Sequence, residues 1–239
     1  MRWLPLVGVA VAAVAWQAIS WFYPPFILPG PVLVAGKFWE KTVDGTLAFH
    51  AGVTLAEAGL GLLGGTLIAV VAGYLVAKSA VLERLLSPFI VASQGIPFIA
   101  VAPLIFIWFG NGLPAKVLLC ALIVFFPVLI NVAAGIRAVP QPLRDLFAVN
   151  TATRLQVFAK LEVPSALPML VAGFRVGGTL AVVGAIAAEF VSSTRGLGFL
   201  ISQGNSFYDT PLVMVSVLSI MALALAFYAA AGLLGKLHF

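Results

Sequence analysis

Long apolar stretches recur along this chain, continuous instead of alternating with period two, and each is about as long as a bilayer is thick. About 20 apolar residues cross the hydrocarbon core as a helix, whereas a membrane barrel needs short alternating strands. The pattern therefore predicts transmembrane helices and argues against a barrel. With 62% hydrophobic and only 9% charged residues, and a mean hydropathy of +1.15, the chain has too little polar surface to close as a soluble globule. Its 239 residues accommodate about six spans joined by short connections. The expected fold is an all-α polytopic membrane protein, one transmembrane domain over residues 1–239.

Taken in order, Trp3 to Tyr23 reads as the first span. Its length, and the aromatic belt of Trp16, Trp21, Phe22 and Tyr23, favour a retained anchor over a cleaved signal. Residues 24–45 follow as an extracytoplasmic connection: Pro24, Pro25, Pro29 and Pro31 break the chain, and Lys37, Glu40, Lys41 and Asp44 mark a short surface helix. The second span, Thr46 to Ala77, is rich in glycine, and Gly61 and Gly65 form a GxxxG pair suited to close helix contact. Leu85 to Phe109 is interrupted by Pro88, Pro97 and Pro103, so the third span is expected to be broken or kinked. Freed carbonyls are tolerated at membrane depth only against protein or water, which makes Gln94, Pro97 and Pro103 candidates for a pathway lining.

The fourth span, Lys116 to Gly135, contains Pro127 and Asn131; an Asn at this depth is expected to hydrogen-bond a neighbouring helix. Met169 to Val191 forms the fifth, with Arg175 and Glu189 too expensive to face lipid. Arg175 is expected to snorkel toward headgroups and Glu189 to pair with Arg195. Ser193 to Ile201, with Gly196 and Gly198, reads as a tight external turn, and Asp209 to Pro211 opens a sixth span ending near Lys236. Cys120 reads as a small core residue. His50 cannot form a metal site with the remote His238, so no metal is expected and a hydrogen-bonded interfacial role fits better.

One polar island interrupts this pattern, Asp145 to Pro168. Leu146, Val149, Thr153 and Val157 recur at helical spacing with Phe147 and Phe158 beside them, while Asn150, Arg154 and Lys160 fall elsewhere. An amphipathic helix outside the bilayer is predicted, stopped by Pro164 and Pro168, with a new helix beginning near Met169. Orientation follows the basic residues. Arg2, Lys78, Arg84, Arg137, Arg144, Arg154, Lys160 and Lys236 lie on one side and outnumber Lys37, Lys41, Lys116 and Arg195 on the other. Both termini and residues 136–168 are therefore expected in the cytoplasm, and the net charge of +5 reflects topology instead of a nucleic-acid partner. No phosphate loop, HExxH or CxxC is present, and Gly232 to Leu237 has the wrong spacing for a phosphate loop.

The island resembles the cytoplasmic EAA loop of binding-protein-dependent ABC importer permeases. Asp145, Leu146 and Phe147 stand at its Glu-Ala-Ala, Thr151 at its glycine, and Ala152, Arg154, Gln156, Phe158, Glu162, Pro164, Ala166, Leu167 and Pro168 fit its second half. A threonine at the glycine position is expected to reshape the turn. Gln94, Ile96, Pro97, Ala100, Pro103, Leu104, Trp108, Phe109, Gly110 and Gly112 resemble the third-helix signature, and Ser193 to Ile201 is also similar to the family. Asp44, Gly45, Leu47, His50, Thr54 and Leu55 resemble its nitrate, sulfonate and taurine branch, which commonly carries arginine where this chain has Glu57.

The resemblance implies a type I ABC importer permease fold in an inner membrane, working as a homodimer. Its partners would be an ATPase in two copies, a second permease copy, membrane lipid and an extracytoplasmic binding protein that delivers the solute. No cofactor would be bound by this chain, ATP-Mg being held by the ATPase. Coupling to that ATPase would fall to Asp145, Thr151, Ala152, Arg154, Gln156, Phe158, Lys160, Glu162 and Pro164. Gln94, Pro97, Pro103, Asn131, Glu57 and Glu189 are the candidates for the translocation path. Glu57 in place of arginine tilts the expected substrate toward an uncharged heterocycle, such as riboflavin or a thiamine pyrimidine precursor, and away from sulfonate, taurine or nitrate. The alternative is a self-sufficient secondary transporter or channel with Glu57, Glu189 and Arg175 as a relay.

Overall fold

The computed structural model describes the backbone of residues 4–236 and the side chains of residues 7, 8 and 10–233. Arg2 and His238 lie outside the described residues, as does the side chain of Lys236. Among the described residues the structure is helical: α1 (Leu4–Ser20), α2 (Pro31–Val43), α3 (Thr46–Lys78), α4 (Ala80–Ser93), α5 (Phe98–Phe109), α6 (Leu113–Arg137), α7 (Gln141–Val149), α8 (Arg154–Val157), a π-turn (Phe158–Glu162), α9 (Val163–Ser192), α10 (Leu197–Ser206) and α11 (Thr210–Lys236).

The expected spans can be followed among the described residues. Four helical stretches are long and apolar enough to cross a membrane: α3, α6, the continuous run Arg154–Ser192, and α11. The expected third span is indeed broken, as α4 and α5 meet at 102° and count together as a fifth. Of the expected first span, Trp3 to Tyr23, the described residues form α1 over Leu4–Ser20.

Helix α6 lies between α3 and α9, and the three form the core. Ala58, Leu62 and Ala69 of α3 pack with Cys120, Val124, Val128, Leu129 and Val132 of α6 and Ala181, Val182 and Ala185 of α9. Lipid tails are as apolar as leucine, so close van der Waals packing must hold these helices together, and small residues permit it. A Cβ on Gly61 would lie 2.2 Å from Cys120 Cβ, and one on Gly65 2.7 Å from the Ala121 carbonyl. The GxxxG pair therefore seats α3 directly on α6. Across the other interface, a Cβ on Gly173 would lie 2.8 Å from Asn131 Cβ and one on Gly135 2.9 Å from Met169 Cβ.

At one end, α2 and α10 close over α3 and α11 through Val34, Leu47, Leu197, Leu200 and Val215. Lys37 reaches Asp209 at 2.9 Å, which ties α2 to the start of α11. Asp44 turns the corner from α2 into α3, accepting from Lys41 at 2.9 Å and from the Thr46 amide at 2.8 Å. These donors, Lys41 first, hold its carboxyl down to about 2. At the opposite end, Arg144 donates to Ile136 O, an orphan carbonyl of the last turn of α6, at 2.8 Å, and to Val139 O in the following turn at 3.4 Å. Arg137 donates to Val76 O at 3.0 Å and pairs with Glu83, joining α6 to α3 and α4.

Candidate functional site

The polar island folds as two helices, not the single helix its periodicity predicts. Helix α7 ends at Val149 in a Schellman turn: the Ala152 amide donates to Phe147 O and the Thr151 amide to Ala148 O, both at 3.0 Å. Thr151 occupies the position that needs a left-handed residue, with φ of 52°. Threonine here adopts the left-handed conformation that glycine takes most easily, and carries the strain. Thr153 then starts α8 with a capping box, its hydroxyl accepting from the Gln156 amide while the Gln156 side chain accepts from the Thr153 amide.

Pro164 and Pro168 do not stop the chain. The prolines lack N–H groups and their rings crowd the preceding turn, and the chain absorbs this by widening. The Val163 amide bonds Phe158 O, five residues back, and the helix continues through the π-turn into α9. Hence the sharp bend lies at Asn150–Thr153, ahead of the prolines.

This segment presents Asp145, Thr151, Arg154, Gln156, Phe158, Lys160 and Pro164 on its surface; Ala152 is half-buried and Glu162 is buried. Asp145 accepts from Gln141 at 2.9 Å. Large apolar side chains share the same surface, Val149 at 82% and Leu155 at 74% exposure, with Leu146 beside them. Apolar and basic groups side by side on a surface helix are what a protein partner would cover.

Three other buried charged side chains, Glu57, Lys116 and Glu189, gather at the opposite end. Glu57 of α3, 2% exposed, meets Lys116 of α6 at 2.8 Å. Lys116 also donates to Ser193 Oγ at 2.7 Å, beyond the end of α9. Together with Asn111, Thr194 and Arg195 these side chains line an open polar cavity of about 430 Å³. Glu189 does not pair with Arg195. Its carboxylate accepts from Thr54 Oγ1 and from the Gly198 amide, each at 2.7 Å. The two preceding amides are also satisfied from α3: Leu197 N–H donates to Thr54 Oγ1 at 2.9 Å and Gly196 N–H to His50 Nδ1 at 2.9 Å. Helix α10 has no side-chain cap of its own. His50, Thr54 and Glu189 supply one from other helices, and the carboxylate also suits the positive end of the helix dipole. Gly196 is required here, since its φ is 105° and a Cβ would lie 2.0 Å from Glu189 Oε1.

The other pathway candidates are dispersed. Gln94 and Pro97 lie exposed at the α4–α5 break, and Pro103 is exposed on α5. Asn131 donates to Pro127 O of its own helix at 2.9 Å instead of a neighbouring helix, and packs on Gly173. Arg175 stacks on Tyr228 of α11, 5.5 Å from the ring centre, and lies against Gly232. The structure therefore gives Arg175 partners separate from those of Glu57 and Glu189. Sequence reading missed Lys116 and Thr54 as members of the buried cluster. A usable signal existed for Lys116: a cation in the first turn of a helix opposes the dipole and calls for an acid partner.

Comparison with known proteins places the chain. Residues 65–237 match the family described as "Binding-protein-dependent transport system inner membrane component". The riboflavin transport system permease protein RibX of Chloroflexus aurantiacus is 43% identical, covering 98% of this chain and 89% of that protein. The formylaminopyrimidine transport permease protein ThiX of Halalkalibacterium halodurans is 32% identical over 86% of this chain and 82% of its own length. The taurine transport system permease protein TauC of Escherichia coli is 30% identical over 93% and 84%. In fold, a chain of the inward-facing MetNI methionine ABC transporter superposes with a TM-score of 0.74 at 20% identity, covering 83% of this chain and 99% of that one. Family match, relatives and fold agree: the chain belongs to the inner-membrane permease components of binding-protein-dependent ABC transport systems.

Proposed function

We propose that this permease forms, as a homodimer, the path of an ATP-driven importer for a vitamin-like heterocycle, with riboflavin the first substrate to test. The observation that carries the substrate reading is the 43% identity to a riboflavin permease across 98% of the chain. The pyrimidine permease relative points the same way, and the taurine relative marks the competing class. The charge argument from Glu57 weakens, because Lys116 neutralises it at 2.8 Å. In this reading the α7–α8 segment faces the cytoplasm and docks on an ATPase subunit, one beneath each permease copy. ATP closes the ATPase pair, and the docked segments swing the permease halves toward a binding protein on the other side. ATP hydrolysis belongs to the partner chain.

The test is uptake of labelled riboflavin by membranes holding the permease with its co-purifying partners. Competition by riboflavin or a formylaminopyrimidine and indifference to taurine is the expected result. Competition by taurine alone would reassign the substrate. Uptake that persists without ATP and stops when the proton gradient collapses would favour a secondary carrier.

A further inference from the structure

The π-turn is held by α3 as well as by the helix it leads into. Glu162, 1% exposed, pairs with Lys78 Nζ at the end of α3 and accepts from Tyr74 OH at 3.3 Å. The Tyr74 ring meets the Phe158 ring edge-on, with centres 5.2 Å apart, and Lys78 lies 5.7 Å above the same tyrosine. Both ends of the π-turn, Phe158 and Glu162, thus touch one turn of α3. Tyr74 and Lys78 also line, with Ala152, Arg154 and Val157, a cavity of about 390 Å³. The end of α3 therefore borders the surface that carries Arg154.

A π-turn holds one residue more than the ideal ladder. Losing or shifting that residue would rotate α8 by about 100° and move it by about 1.5 Å relative to α9. Such a turn needs outside contacts to persist, and a buried carboxylate needs a cation. Lys78 and Tyr74 meet both needs.

We propose that Lys78 and Tyr74 are positioning residues for coupling: they set the π-turn, so that the ATPase-docking segment drives α3 and α9 together instead of α9 alone. The inference rests on the coupling reading above.

The test has two arms, both on the full chain in lipid bilayers. In the first, amide hydrogen exchange is followed at residues 158–163. Lys78→Met should speed it by about tenfold or more, Lys78→Arg should leave it near wild type, and Lys78→Glu combined with Glu162→Lys should restore part of the protection. In the second, the same variants are assayed with the ATPase that co-purifies with the wild-type chain, using riboflavin as the probe. Lys78→Met should lower both solute imported per ATP and the maximal rate of binding-protein-stimulated hydrolysis, at unchanged KM for ATP. Lys78→Arg should rescue both. Unchanged exchange at 158–163 in Lys78→Met overturns the proposal, and so does faster exchange with full import per ATP, which would make the contact merely structural. A wild-type chain that binds no ATPase overturns the proposed function and the positioning role with it. That failure is distinct because it appears before any substitution.

Discussion

Glu57 Oε1 and Lys116 Nζ, 2.8 Å apart and both buried, form an ion pair between α3 and α6 at the end where α10 closes over the bundle. The pair joins helices already in contact through Gly61 and Cys120. Each side chain is nearly withdrawn from water, Lys116 at 8% and Glu57 at 2% exposure, so each charge depends on the other.

Removing one partner should be worse than removing both. Lys116→Met leaves Glu57 buried and uncompensated, and Glu57→Gln strands the ammonium; each should lower stability by about 3–5 kcal/mol. The double variant should recover most of that loss. Thermal unfolding of the four proteins in detergent gives the cycle, and additive single effects would contradict the pairing.

Thr54 should matter more than an ordinary core threonine. Its hydroxyl donates to Glu189 and accepts from the Leu197 amide, so Thr54→Val orphans groups on both sides. A loss of about 1–3 kcal/mol is expected. Faster hydrogen exchange at residues 196–199, with exchange in α6 unchanged, would locate the damage at the start of α10.

Thr151→Gly should stabilise the protein. A β-branched residue at a φ of 52° is strained by about 1–2 kcal/mol. Greater chain entropy of glycine in the unfolded state offsets part of this, for a net gain of about 0.5–1 kcal/mol. A lower unfolding temperature for the glycine variant would show that threonine makes a compensating contact.

Arg154→Glu should abolish stimulation of the partner ATPase without unfolding the permease. Arg154 is exposed in the first turn of α8, and no ion pair to it occurs among the described residues. Its reversal therefore leaves internal packing intact while changing the charge offered to a partner. Normal stimulation with an unaltered melting curve would remove Arg154 from the coupling surface.

The membrane-spanning character, the broken third span and the exposure of most of the polar island were all legible in the residues. These features follow from local quantities: apolar length, proline position and the spacing of polar side chains along one strand of sequence. Tertiary structure decided what depends on residues far apart. Glu189 looked like a partner for Arg195, six positions away, but the α10 start folds back so that its amide reaches the carboxylate first. Lys116 looked like a boundary marker, yet α6 packs on α3 closely enough to reach Glu57. The prolines at the end of the polar island predicted a stop, because their effect was judged from the backbone alone. Contacts from Tyr74 and Lys78 to Phe158 and Glu162 accompany a widened helical turn instead of a break. Apolar length along a chain marks where the long helices form; where a surface helix breaks, and which buried charges find each other, depends on contacts and distances that exist only once those helices pack.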